Sequence, residues 1–247
     1  MITRIRCLKV GQMRVPGPEV FWMDRFGKTL PLTLWMVILE GAGETVLINT
    51  GAPADDGGLL PDLEDRPPGG VLTALRAMGV EPEGVTRVIV TPLQAYAVGN
   101  LDQFPRAYLY LSRRGWIDFH APEWAVARAA RERAIPSPIL VRLESDLSER
   151  LILTHDEDAV APGVRVSWAG CHHRSSLVVW AETPTGRYAF TDAVFYGDNW
   201  LYDHPPGIAE DRAECLRVYA RLRRAADHVV GLYDPAVGER YPAGIVL

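Results

Sequence analysis

Apolar residues fall along this chain in short runs rather than in long helical stripes. Residues 32–39 (LTLWMVIL) form a near-continuous apolar run, the mark of a strand buried on both faces. Residues 45–48 form another after the turn Gly41-Ala42-Gly43, and residues 1–10 alternate as a first strand. Strands are also predicted at 85–91, 106–114, 151–154 and 164–168. A hairpin-like pair is expected at 177–181 and 188–191, around Pro184-Thr185-Gly186, and a last strand at 229–232. Helical patterns occupy 72–78, closed by Gly79, then 122–133 with Pro122 at its start, and 210–224 with Leu216, Tyr219 and Leu222 on one side. The stretch 11–29 reads as a loop whose Phe21, Trp22 and Met23 pack over something. Residues 52–70, rich in Gly, Pro and Asp, read as an irregular excursion, and 134–150 as a loop and connector.

Composition narrows this picture. With 247 residues, 48% of them hydrophobic and 23% charged, the chain suits one sizeable core, so a single domain over 1–247 is expected. The net charge is −5 and no Lys/Arg run stands out, which argues against a nucleic-acid surface. No run approaches the roughly 18 apolar residues of a membrane span, and the first residues lack a long apolar core. The basic residues are nearly all Arg, a hint of a GC-rich bacterial genome. Cys7, Cys171 and Cys215 are odd in number and far apart. A disulfide is therefore not expected, and a cytoplasmic location fits.

Five segments carry the chemistry. They are VLINTG (46–51), VTPLQAYAVGNLDQFP (90–105), GCHHRSS (170–176), TDAVFYGDN (191–199) and GLYDP (231–235). Their order and spacing resemble the metallo-β-lactamase superfamily, and within it the N-acyl homoserine lactonase-like branch. The resemblance covers 1–247 and implies an α/β fold, an αββα sandwich of two mixed β-sheets flanked by helices, with two pseudo-symmetric halves meeting near 135–150. In that family a T-H-x-H-x-D-H-x-G-N loop delivers ligands to two zinc ions. Laid on the loop residue by residue, Pro92 and Gln94 stand at the first two His positions, Tyr96 at the Asp position and Ala97 at the last His. Asn49 replaces the Asp of V-L-I-D-T-G, and Tyr233 replaces the His of the closing G-H-D. Only His172 and Asp192, of seven ligand positions, hold side chains that bind zinc well. The frame is kept while the ligand set is degenerate, so zinc is not expected and no other cofactor is indicated.

The resemblance places His172 beside Asp192, where a carboxylate can orient an imidazole for acid/base work. Tyr96 and Tyr233 would face the same cavity as proton donors, which makes His172, Asp192, Tyr96 and Tyr233 the candidate catalytic residues. Gln94, His173, Phe195, Tyr196 and Asn199 are the candidate substrate-binding residues. Trp35, Trp116 and Trp200 add aromatic surface suited to an apolar ligand. The expected function is metal-independent hydrolysis, elimination, isomerisation or cyclisation of a small apolar lactone, ester or polyketide-like carbonyl compound. Two alternatives stay open: a non-catalytic small-molecule binder, and a residual single-zinc lactone hydrolase. A small molecule is the expected partner, without nucleic acid or membrane, and a homodimer is left open. Tyrosines plugging a vacated site, and a His–Asp pair left inside it, would account for the same residues without any activity.

Overall fold

The computed structural model describes residues 1–247 as two β-sheets packed face to face. The first sheet takes its strands in chain order: β1 (Arg4–Pro16), β2 (Thr29–Gly41), β3 (Glu44–Ile48), β4 (Arg87–Ile89), β5 (Tyr108–Ser112) and β6 (Leu151–Thr154). The second runs in the order β11 (His228–Gly231), β10 (Gly186–Thr191), β9 (Leu177–Thr183), β8 (Val164–Trp168), β7 (Glu157–Ala161). Both sheets are mixed, because β3 through β6 run parallel and β10 pairs parallel with β11, while the other pairs are antiparallel. The helices lie outside: α1 (Gly17–Val20), α2 (Gly70–Ala77), α3 (Ala95–Val98), α4 (Arg113–His120), α5 (Arg128–Ala134), α6 (Ser137–Leu143), α7 (Gly197–Leu201), α8 (Arg212–Ala225) and α9 (Ala236–Arg240). This is the αββα sandwich that the resemblance implies.

The burial pattern explains the layering. Alternate residues of β2 face opposite ways, so Trp35, Val37 and Leu39 join the core between the sheets, while Leu34, Met36 and Ile38 pack under the outer helices. With both faces covered, residues 32–39 are all buried, as a near-continuous apolar run requires. The second sheet uses the same device. Val179 and Phe190 point to the middle, and Val178 and Ala189 point outward to Cys215, Val218, Tyr219 and Leu222 of α8.

Several boundaries differ from the sequence reading. The first part of 11–29 is strand, since β1 and β2 extend as one long antiparallel pair to Pro16 and Thr29, and residues 17–28 turn the corner between them. The helix expected at 122–133 is broken. Its first half is irregular, and α5 buries no residue, so nothing holds the stretch to a single helix. The supposed connector 134–150 contains α6, which starts on Ser137-Pro138 and buries Ile139 and Leu143. Cys171 and Cys215 form a disulfide, which corrects the expectation of unpaired thiols. Sequence spacing hid the pairing, because 44 residues separate two positions that the fold brings to a Cα distance of 4.7 Å. Cys7 remains a free thiol, and burial pushes its pKa up to about 12. No helix is long and apolar enough to cross a membrane.

Candidate functional site: a buried histidine–aspartate pair beneath a polar cleft

The site lies where the C-terminal ends of β3, β4 and β10 meet the loop 169–176. Asn49, directly after β3, has a left-handed backbone (φ 66°), a conformation asparagine tolerates better than most residues. Its side-chain Oδ1 accepts the Thr91 N–H and its Nδ2 donates to the Thr91 carbonyl, both at 2.8 Å. A carboxylate could make only the first of these bonds. Thr91 is therefore fixed at the end of β4, and its hydroxyl reaches across to the second sheet. The hydroxyl accepts the Leu177 N–H at 2.8 Å and donates to Asp192 Oδ1.

Asp192 is completely buried, and three side chains bond to it. Besides Thr91, Ser176 Oγ donates to Oδ2, and His172 Nδ1 lies 3.1 Å from the same oxygen. A carboxylate accepting these bonds fixes the neutral imidazole with its proton on Nδ1, leaving Nε2 as the lone-pair nitrogen. Burial, reinforced by the neighbouring His173, pulls the His172 pKa down to about 4 against the opposing pull of Asp192. His172 is thus neutral near pH 7 and out of contact with bulk water.

The tyrosines fill the adjoining space. Tyr96 and Tyr233 join through their hydroxyls at 3.0 Å, and burial pushes both phenols well above their ordinary pKa. Phe195 wedges between them and the pair, its ring centroid 4.7 Å from that of His172 and 4.9 Å from that of Tyr233. The donor set does not suit a zinc ion. No three His, Cys, Asp or Glu side chains converge, and both Asp192 oxygens already accept hydrogen bonds.

A cleft of about 230 Å³ opens immediately outside this buried layer. Gln94, His173 and Ser175 form one side of it, α4 contributes Asp118 and Phe119, and residues 122–134 cover it with Val126 and Arg131. Gly115 lets α4 come this close, because a Cβ there would lie 2.3 Å from that of Ser175. Ser175 in turn accepts the Leu93 N–H at 2.9 Å and so locks the two site loops together. His173 stands at the boundary, its ring centroid 4.0 Å from that of His172. Its Nδ1 lies 3.2 Å from Glu210 Oε1, and its Nε2 lies 3.4 Å from Gln94 Nε2. Burial raises the Glu210 pKa, but the hydrogen bond and charge of His173 outweigh it and the net shift is downward. Asp118 shifts the other way, first through burial and then through repulsion from Glu210.

Of the residues singled out in the sequence, His172, Asp192, Tyr96, Tyr233 and Phe195 form the buried layer, and Gln94 and His173 face the cleft. Tyr196 and Asn199 do not reach it. The Tyr196 hydroxyl donates to the Pro31 carbonyl, and Asn199 commits its side chain to the backbone of Phe195, Tyr196, Val20 and His204. Trp35 serves the core between the sheets, where its Nε1 donates to the Asp234 carbonyl. Glu210, Asp118 and Arg131 were not anticipated. Asp118 lies on α4, which no sequence pattern predicted, and Arg131 and Glu210 lie on α5 and just before α8, where no motif marks them; only the approach of the loop 170–176 brings them together.

No family model matches the chain, and no curated protein matches its sequence. Solved structures do match. An N-acyl homoserine lactone hydrolase with N-hexanoyl-L-homoserine bound at its catalytic metal centre superposes with TM-score 0.79 at 16% identity, covering 97% of this chain and 96% of that one. A dizinc quorum-quenching lactonase superposes with TM-score 0.71 at 12% identity over 99% and 90% of the two chains. A hydrolase of the β-lactamase superfamily gives TM-score 0.72 at 16% identity over 99% and 91%. With two mixed sheets, the flanking helices and this set of neighbours, the chain has the metallo-β-lactamase fold.

Proposed function

We propose that this protein carries out metal-independent proton-transfer chemistry on a small ester, lactone or related carbonyl compound held in the cleft beside His173. One observation carries the reading: two histidine rings pack at 4.0 Å, tilted 46° to each other, each within hydrogen-bond distance of its own carboxylate, and the outer one lines the cleft. A Glu210 carboxylate that accepts from Nδ1 leaves the lone pair of His173 on Nε2, at the edge of the cleft beside the Gln94 amide, which substrate or water would displace for the nitrogen to act as a general base. In hydrolysis, Nε2 would take a proton from a water molecule whose oxygen bonds to the substrate carbonyl carbon. It would then return that proton to the departing alkoxide. In an isomerisation or elimination the same nitrogen would take the proton from the carbon next to the carbonyl. Gln94 lies within reach to donate to the carbonyl oxygen, and Val126 and Phe119 supply apolar wall. His172 and Asp192 act one layer below as positioning residues, holding the loop 170–176 and the ring on which His173 rests.

The test is a panel of short esters and lactones assayed with a chelator present. His173→Gln should lower kcat by roughly 10²- to 10⁴-fold, the usual worth of a general base, with KM little changed. Unchanged turnover in that variant would refute the assignment. A second reading, a non-catalytic small-molecule binder, draws on the closure of the buried layer by Phe195 and the paired tyrosines. It predicts that the same compounds bind without turnover, in wild type and His173→Gln alike.

A further inference from the structure

A second concave site lies on the opposite side of the second sheet, remote from the histidines. Strand alternation creates it. Arg165 and Ser167 of β8, Trp180 and Glu182 of β9 and Arg187 of β10 all point to the outer face, because Arg165 pairs with Trp180 and Glu182 with Arg187 across the ladder. α8 covers the part of that face formed by Val178 and Ala189. Beside the helix, the face stays open as a groove of about 380 Å³, closed on one side by Arg221 of α8 and on another by Glu157.

The charges in the groove do not balance. Arg165 has Glu157 at 3.9 Å and Arg187 has Glu182 at 2.6 Å, whereas Arg221 has no carboxylate partner. One Arg221 nitrogen donates to the Trp168 carbonyl at 3.0 Å, and its Nε is buried without any hydrogen-bond partner. A buried guanidinium donor left unpaired is uncommon and costly, since arginine cannot shed its charge. Trp180 adds a flat apolar surface whose only polar atom is already committed, its Nε1 donating to Ser167 Oγ at 2.8 Å.

We infer that this groove binds a small organic oxyanion, a carboxylate or a phosphate, whose charged end pairs with Arg221 and whose flat body rests against Trp180. Such an anion gives the Arg221 guanidinium the charged partner it lacks and cancels the surplus positive charge. Arg165 and Arg187, already held by carboxylates, steer it. The site does not depend on the chemistry at His173, and its ligand need not be the substrate there.

Calorimetric titration at constant ionic strength would test this with acetate, benzoate, inorganic phosphate and phenyl phosphate. The flat compounds should bind more tightly than their small counterparts. The relative affinities of benzoate and phenyl phosphate then tell which oxyanion the groove prefers. Arg221→Met should weaken binding by about tenfold or more, as loss of a charge-assisted pair does. Arg212→Gln, which alters an arginine stacked 4.4 Å from the Trp22 ring, should leave binding unchanged. Should Arg221→Met fail to fold, Arg165→Gln and Arg187→Gln replace it, each expected to weaken binding several-fold. Equal affinity in wild type and the groove variants, or no binding of any of the four anions at millimolar concentration, would overturn the assignment.

Discussion

At the scale of single residues, the Thr91 hydroxyl joins the two sheets at the site. It serves the Leu177 N–H and Asp192 at once, in full burial. Thr91→Val keeps the shape and removes both bonds, leaving a buried N–H and a buried carboxylate oxygen without partners. The expected loss is about 3 kcal/mol by urea denaturation, against about 1 kcal/mol for Thr91→Ser, which keeps the hydroxyl. A Thr91→Val protein as stable as Thr91→Ser would show that the hydroxyl does not hold the two sheets together. His172 gives a second expectation, in pH. Its folded pKa, about 4, lies below the ordinary histidine value of about 6.5, so the unfolded chain binds the proton more readily. The stability held by neutral His172 is complete above about pH 6.5 and declines as the pH falls towards 4, by roughly 3 kcal/mol over the window. Denaturation midpoints at pH 7.5 and 4.5 should therefore lie closer together in His172→Gln than in wild type. Equal pH dependence in the two proteins would contradict the buried, neutral imidazole.

At the scale of elements, what the sequence disclosed depended on how each segment is buried. The strands that line the core were legible because burial on both faces forces unbroken apolar runs, as in 32–39 and 177–181. The His172–Asp192 juxtaposition was legible through the order of motifs alone. α5 was not, since Arg, Ala and Glu over 128–134 are compatible with any exposed segment and no apolar stripe fixes its ends. The groove at Arg221 was equally hidden, because strand register, not sequence distance, assembles it. The link from loop 169–176 to α8 was misread because three cysteines far apart give no pattern. Opening Cys171–Cys215 by a double Cys→Ala substitution should cost roughly 2–4 kcal/mol, much of it through a less constrained unfolded chain. Denatured protein should titrate as one thiol before reduction and three after it. Three thiols at the outset would place both cysteines in the reduced state.

At the scale of the molecule, the two sheets need a tie at the mouth of the sandwich, and here side-chain hydrogen bonds supply it. Thr91 from the first sheet meets Asp192 from the second, and Tyr96 meets Tyr233. The positions that the sequence resemblance assigns to zinc ligands, Tyr96, Asp192 and Tyr233 among them, fall at the same junction. Closure by zinc and closure by hydrogen bonds predict opposite responses to metal. A fold that depends on bound zinc is stabilised by RT ln(1 + [Zn]/Kd), about 2.7 kcal/mol at one hundred times Kd, and loses that gain to a chelator. A junction closed by hydroxyls, one imidazole and one carboxylate already bonded to them brings together fewer than three strong zinc donors, and we propose that it gains nothing from the ion. The thermal midpoint should therefore stay the same, within about 1 °C, whether the protein is measured with chelator, without it, or with excess zinc. Protein purified without chelators should carry far less than one zinc per chain by elemental analysis. A midpoint that rises with zinc in wild type but not in His172→Gln would restore a metal to this junction. It would also return the chemistry from His173 to the layer beneath it.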